Sequence, residues 1–142
     1  MIESYVKKYI GIPFVSGGRN ESGCDCYGLV RLVFHNEFMI DLPEIDGYSN
    51  ALIPEITNPL FQRYTPLLLG ERHESPLNND IAVINNRGLP THLGVYVGEL
   101  YILHTVRRIG SCLQRITDRD LANRIEGYYG IKTPHGAQPV QR

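Results

Sequence analysis

A chain of 142 residues, 42% of them hydrophobic and 20% charged, is the size of one domain with its own core, and folding buries about two-thirds of its unfolded surface. The net charge of -1 removes the electrostatic basis for binding nucleic acid or an anionic membrane surface. Three cysteines, two of them separated by a single residue, argue against a disulfide framework and leave at least one free thiol.

Met1 to Lys8 lacks a basic start followed by an unbroken apolar run, so no secretory signal is expected there. No apolar stretch approaches the roughly 20 residues needed to span a bilayer, and no membrane insertion is expected. Ile2, Tyr5, Val6, Tyr9 and Ile10 recur at helical spacing, which predicts a short amphipathic helix that Gly11 and Pro13 end. Residues 11–24 form a glycine-rich loop. Cys26, Leu29, Val30, Val33 and Phe34 then define a buried helix from Cys26 to about Phe38, with Asp25 as its N-cap.

From Asp41 to Pro76 the periodicity dissolves. Pro43, Pro54, Pro59, Pro66 and Pro76 stand too close together for long regular elements, leaving room for a short helix around Glu55 to Tyr64. The segment is either a wall over a site or a plain surface connection. From Asp80 the pattern becomes that of strands: Ile81 to Ile84, His92 to Val97, Tyr101 to Val106, Ser111 to Ile116, and Gly127 to Ile131, with a helical turn at Asp118 to Asn123. Helices first and an antiparallel sheet after them make an α+β class. One domain covers residues 1–132, and 133–142 read as a loose tail.

The chemistry concentrates at Cys26. A thiol at a helix start meets unpaired N–H groups and the positive end of the helix dipole, which can lower its pKa from about 8.5 into the range of roughly 3.5 to 7.5. The plainer reading is a small packed hydrophobe. Downstream, strand alternation puts His92, Gly94 and Tyr96 on one face and Ile102, His104 and Val106 on one face of the next strand. A short loop centred on Gly98 sets opposite each other residues whose numbers sum to about 196, as those of His92 and His104 do. A thiol, a histidine and a second polar group that orients it are what nucleophilic catalysis needs; two packed sheet histidines are the alternative. Cys24, Cys26 and the histidines could also be read as a zinc site, but one intervening residue is tighter than the usual two to four. Cys112, His35, His73, His135, Asp80 and Arg107-Arg108 read as packing, capping or solvated residues.

The runs Gly11-Ile12-Pro13-Phe14 to Gly18, Gly23-Cys24-Asp25-Cys26-Tyr27-Gly28-Leu29-Val30, Asn79-Asp80-Ile81-Ala82, Thr91-His92-Leu93-Gly94-Val95-Tyr96-Val97-Gly98 and Ile102-Leu103-His104 resemble the NlpC family of papain-like cysteine peptidases. Within it, Asp25 to Val33, Leu42-Pro43 and Gly127-Tyr128-Tyr129 are similar to the branch found as tail components of tailed phages. The resemblance implies a papain-like fold with N-terminal helices on a central antiparallel sheet. It implies Cys26 as nucleophile, His92 as general base and then acid, and His104 as the group orienting His92. It further implies cleavage of peptidoglycan stem peptides without metal or cofactor, and a place at the phage tail tip in the virion, with other tail proteins as partners, after synthesis in the host cytoplasm. Two cleft positions depart from cell-wall members: Phe14 stands where Tyr is common, and Tyr27 where many have a Ser tied to gripping the substrate's free amine. With Asp25 they are the expected cleft residues. A silent structural tail module, or a cysteine amidase or acyltransferase on another amide, are the competing readings.

Overall fold

Apolar side chains alternating along the second half of the chain need a layer to cover them, and the buried helix at Cys26 is that layer. The computed structural model describes residues 1–45 and 54–132. Two short strands, β1 (Arg19–Asn20) and β2 (Gly23–Cys24), form a hairpin ahead of helix α1 (Cys26–Phe38). Helix α2 (Pro54–Leu68) runs into β3 (Leu69–His73), followed by β4 (Ile81–Asn86), β5 (Leu89–Gly98), β6 (Tyr101–Val106), β7 (Gly110–Arg115), the single helical turn α3 (Arg119–Ala122) and β8 (Ile125–Ile131). Six strands make one antiparallel sheet in the order β3-β8-β4-β5-β6-β7. The expected α+β class and helix-on-sheet layout are what the chain forms.

Alternation sorts the sheet's two faces. Val83, Leu93, Val95, Val97 and Leu103 join Leu29, Val30, Val33 and Phe34 of α1 in the main core, while Ala82, Ile84, Tyr96 and Ile102 pack with Leu121 on the other side. The helix α1 ends where Met39 takes a left-handed conformation (φ 57°), its N–H reaching the carbonyls of His35 and Phe34.

Several expectations need correcting. The N-terminal element is a 3-10 helix, Ser4–Tyr9, whose Tyr5, Val6 and Tyr9 are buried. The proline-rich stretch contains a 15-residue helix, α2. Pro54 occupies its first position, where the missing N–H has no helical partner. Pro59 and Pro66 lie within it but on the exposed side, where water can satisfy the carbonyls they leave unpaired. The opposite stripe, Leu60, Phe61, Tyr64 and Leu68, turns inward, and this packing outweighs propensity. Strand β3 was not foreseen, nor the insertion of β8 between β3 and β4. The tail, with His135, lies outside the described residues.

The β5–β6 register also differs. Observed partners are Val95 with Leu103 and Tyr96 with Ile102, so paired numbers sum to 198 rather than 196. The turn is Glu99-Leu100, both at positive φ (52° and 69°), with a shift between Tyr96 and Gly98. His92 and His104 are therefore diagonal neighbours. A slip of two keeps both on the same face, whereas a slip of one would have separated them. Gly94 lies between, and a Cβ there would meet Ile102 Cγ2 at 2.5 Å and His104 Cβ at 3.1 Å. Its missing side chain is the gap across which the two rings meet.

Candidate active site

The glycine loop grips the start of α1. The Asp25 carboxylate accepts the Gly28 N–H (2.9 Å), the Gly17 N–H (2.8 Å) and an Arg19 guanidinium N–H (2.9 Å), so it caps the helix and ties the loop to it. A Cβ on Gly28 would lie 2.0 Å from the Gly18 carbonyl oxygen, which leaves no room for another residue. This clamp sets the first helical residue, Cys26, at the edge of a cleft of about 60 Å³ lined by Tyr27, Leu60, Phe61, Tyr64, Leu68, Thr91 and Leu93. Tyr27 donates its hydroxyl to the Pro43 carbonyl. Phe14 does not line this cleft; it bridges Cys24 in the preceding loop and is partly buried.

The expected lowering of the thiol pKa is reversed. Burial, and then the charge of Asp25, push Cys26 up to about 12 against backbone hydrogen bonds at Leu93 and Tyr27 and the nearby Arg19, which pull it down. The stabilising N–H groups of the helix start are present, but the apolar cleft wall formed by α2 outweighs them.

On the sheet, His92 Nε2 lies 2.9 Å from His104 Nδ1, with ring centroids 5.2 Å apart at 65°. The pair continues outward: His104 Nε2 is 2.8 Å from Gln114 Oε1 on β7, and Gln114 Nε2 donates to Asp120 Oδ1 on α3 at 2.7 Å. Burial first, then the neighbouring His104 and Arg124, bring His92 down to about 3. His104 is also lowered, again chiefly by burial, with the Gln114 hydrogen bond opposing. Both imidazoles are neutral at ordinary pH.

Cys26 and the histidines meet β5 on different faces: Leu93 faces α1, and His92, paired with Ile84, faces the other side of the sheet. The Cys26 thiol is hydrogen-bonded by the backbone at Leu93, and the next residue toward the N-terminus is His92. Among the described residues no hydrogen bond joins Cys26 to His92, and no cluster of three or more His, Cys, Asp or Glu is placed to hold a metal ion. Sequence reasoning missed Gln114 and Asp120. The alternation of β7 puts Gln114 on the same face as His104, two residues beyond its direct partner Cys112, but that signal is readable only once the β6–β7 register is known.

Helices packed on a six-stranded antiparallel sheet are the fold of NlpC/P60 structures. The chain superposes on a protein of the NLP/P60 family similar to lipoprotein from Staphylococcus aureus with a TM-score of 0.61 at 22% identity, covering 88% of this chain and 38% of that one. For an NlpC/P60 family protein from Bacillus cereus the TM-score is 0.65 at 15% identity, covering 87% and 36%. For the NlpC/p60 domain of the peptidoglycan hydrolase SagA it is 0.57 at 18% identity, covering 89% and 92%. The chain thus spans less than two-fifths of the first two proteins and nearly the whole of the isolated domain. No curated protein matches the sequence significantly. The NlpC/P60 family model matches residues 11–123, and the chain belongs to the NlpC/P60 family, with a peptidoglycan-hydrolase-like fold.

Proposed function

We propose that the chain is a cysteine peptidase acting on amide bonds of peptidoglycan stem peptides, with Cys26 as nucleophile, His92 as general base and acid, and His104 as the group that orients His92. The observation that carries this reading is the 2.9 Å contact between the imidazoles of β5 and β6, in a chain whose helix α1 opens on Cys26. Family membership and the SagA likeness support the wall-peptide substrate. Placement at a phage tail tip, with other tail proteins as partners, rests on the Asp25 to Val33 run and belongs to the proposal.

The resting pair is neutral, thiol and imidazole, because burial disfavours both charged forms. Proton transfer therefore accompanies attack. His92 takes the thiol proton as sulfur bonds to the amide carbonyl carbon, and backbone N–H groups at the start of α1 hold the oxyanion. The imidazolium then protonates the leaving nitrogen as the C–N bond breaks. A water deprotonated by His92 hydrolyses the thioester and restores the thiol.

The test is release of muropeptides from purified peptidoglycan, resolved by mass spectrometry. Turnover lost in Cys26→Ala and His92→Ala with the fold intact supports the reading; no product from any wall type refutes it. The upward-shifted thiol favours a second reading, a silent structural module of the same fold. That reading requires the wild-type protein to cut nothing.

A further inference from the structure

Beyond the Cys26, His92 and His104 set, the chain of polar contacts runs on to Gln114 and Asp120, and its direction is determined from the outer end. Asp120 presents a carboxylate oxygen to the Gln114 side-chain amide at 2.7 Å. A carboxylate accepts only, so the group facing it must be the Gln114 NH₂, and Gln114 Oε1 must then face His104. At 2.8 Å from His104 Nε2, that oxygen also accepts only, so His104 Nε2 carries the proton. A neutral imidazole has one N–H, which leaves His104 Nδ1 as an acceptor. The group 2.9 Å away, His92 Nε2, must be the donor. Neutral His92 is then left with an unprotonated Nδ1.

We infer that Asp120 and Gln114 are positioning residues that fix one direction of hydrogen bonding through both imidazoles, so that His92 offers its Nδ1 lone pair as the base. Without them the histidine pair is symmetric in chemistry and can run either way, and in the reverse direction His92 Nδ1 carries the proton. Arg124 anchors the outer end, donating to the Asp120 main-chain carbonyl (3.0 Å) and to that of Asn85 (2.9 Å), which ties α3 to β4. The tautomer assignment stands on these contacts between neutral rings; its catalytic consequence rests on the reading of Cys26 and His92 given above.

The experiment is two-bond ¹H–¹⁵N spectroscopy of the histidine rings in the 142-residue chain at pH 9, where both rings are neutral, assigned with His92 and His104 variants. In the wild type both rings are expected to show a protonated Nε2 and a bare Nδ1. Asp120→Ala, an exposed position that leaves the core intact, and Gln114→Leu are each expected to give mixed or inverted tautomers at His92. Gln114→Glu combined with Asp120→Ala is expected to restore the wild-type pattern, because a carboxylate at 114 can only accept and needs no Asp120. A wild type with Nδ1–H on either ring, or single variants that keep the wild-type pattern, would overturn the inference. On the reaction, full inversion of His92 is expected to lower kcat on the order of 10²-fold or more with KM little changed, and the double variant to recover it. Wild-type tautomers as stated together with no peptidoglycan turnover would leave the positioning role standing and remove the peptidase reading.

Discussion

Alkylation of Cys26 separates a neutral thiol from a ready thiolate. With its pKa raised from 9.0 to about 12, the thiolate fraction at pH 7 falls about 10³-fold. The more basic thiolate is intrinsically the better nucleophile, and a Brønsted slope of roughly 0.4–0.5 over those three decades returns about 15- to 30-fold. Iodoacetamide should therefore modify Cys26 about 30- to 60-fold more slowly than an unperturbed cysteine. The pH dependence is the sharper test, because steric access scales the rate without changing its shape. The rate should rise about tenfold per pH unit from pH 6 to 10 with no inflection. Peptide mass spectrometry with fragmentation distinguishes Cys26 from Cys24, which is fully buried and itself pushed up to about 11. A rate that levels off with an inflection between roughly 3.5 and 7.5 would refute the reasoning, since it would mean that the helix start or a Cys26–His92 ion pair outweighs burial.

Gly94→Ala should destabilise the protein by about 1–3 kcal/mol, because its Cβ would stand 2.5 Å from Ile102, and should separate the imidazoles. A Tm unchanged within about 2 °C with unaltered His104 ring signals would show that the strands yield without cost. Asp25→Ala removes two N–H acceptors and the partner of Arg19, at about 2–4 kcal/mol by denaturant titration, and should lower the Cys26 pKa by removing a negative charge. An Asp25→Ala stability loss below about 0.5 kcal/mol would remove Asp25 from its clamping role. For acid stability the sign follows from His92, whose pKa of about 3 when folded lies below the 6.5 of the unfolded chain. Nothing is lost above pH 6.5; as the pH falls toward 3 the unfolded chain binds a proton that the folded one refuses, and stability drops by about 2 kcal/mol by pH 5. Unfolding midpoints of His92→Ala should fall less steeply between pH 7 and 5, and parallel curves would contradict a buried neutral His92.

The place of Cys26 at the start of α1 was legible because it is local. A cap, a glycine loop and an apolar repeat within about 20 residues specify where α1 begins, and Asp25 hydrogen-bonds to Gly17, Arg19 and Gly28 of that stretch. The shared face of His92 and His104 was legible because strand alternation has a period of two, which survives the shift of the pairing sum from 196 to 198. The helix in the proline-rich segment was hidden because Pro59 and Pro66 speak against it locally, while the stripe from Leu60 to Leu68 acquires its weight only from the cleft it covers.

Charge state and proton direction belong to long-range contacts. The Cys26 thiol is raised by surroundings drawn from α2 and β5, far away in the chain, so a helix start alone gave the wrong sign. Gln114 and Asp120 become part of the histidine chain only when β7 pairs with β6 and α3 folds back beside them. Patterns of a few residues encode which side chains share a face, since backbone geometry repeats over that range. Burial and hydrogen-bond direction depend on what else arrives, and that requires the whole sheet.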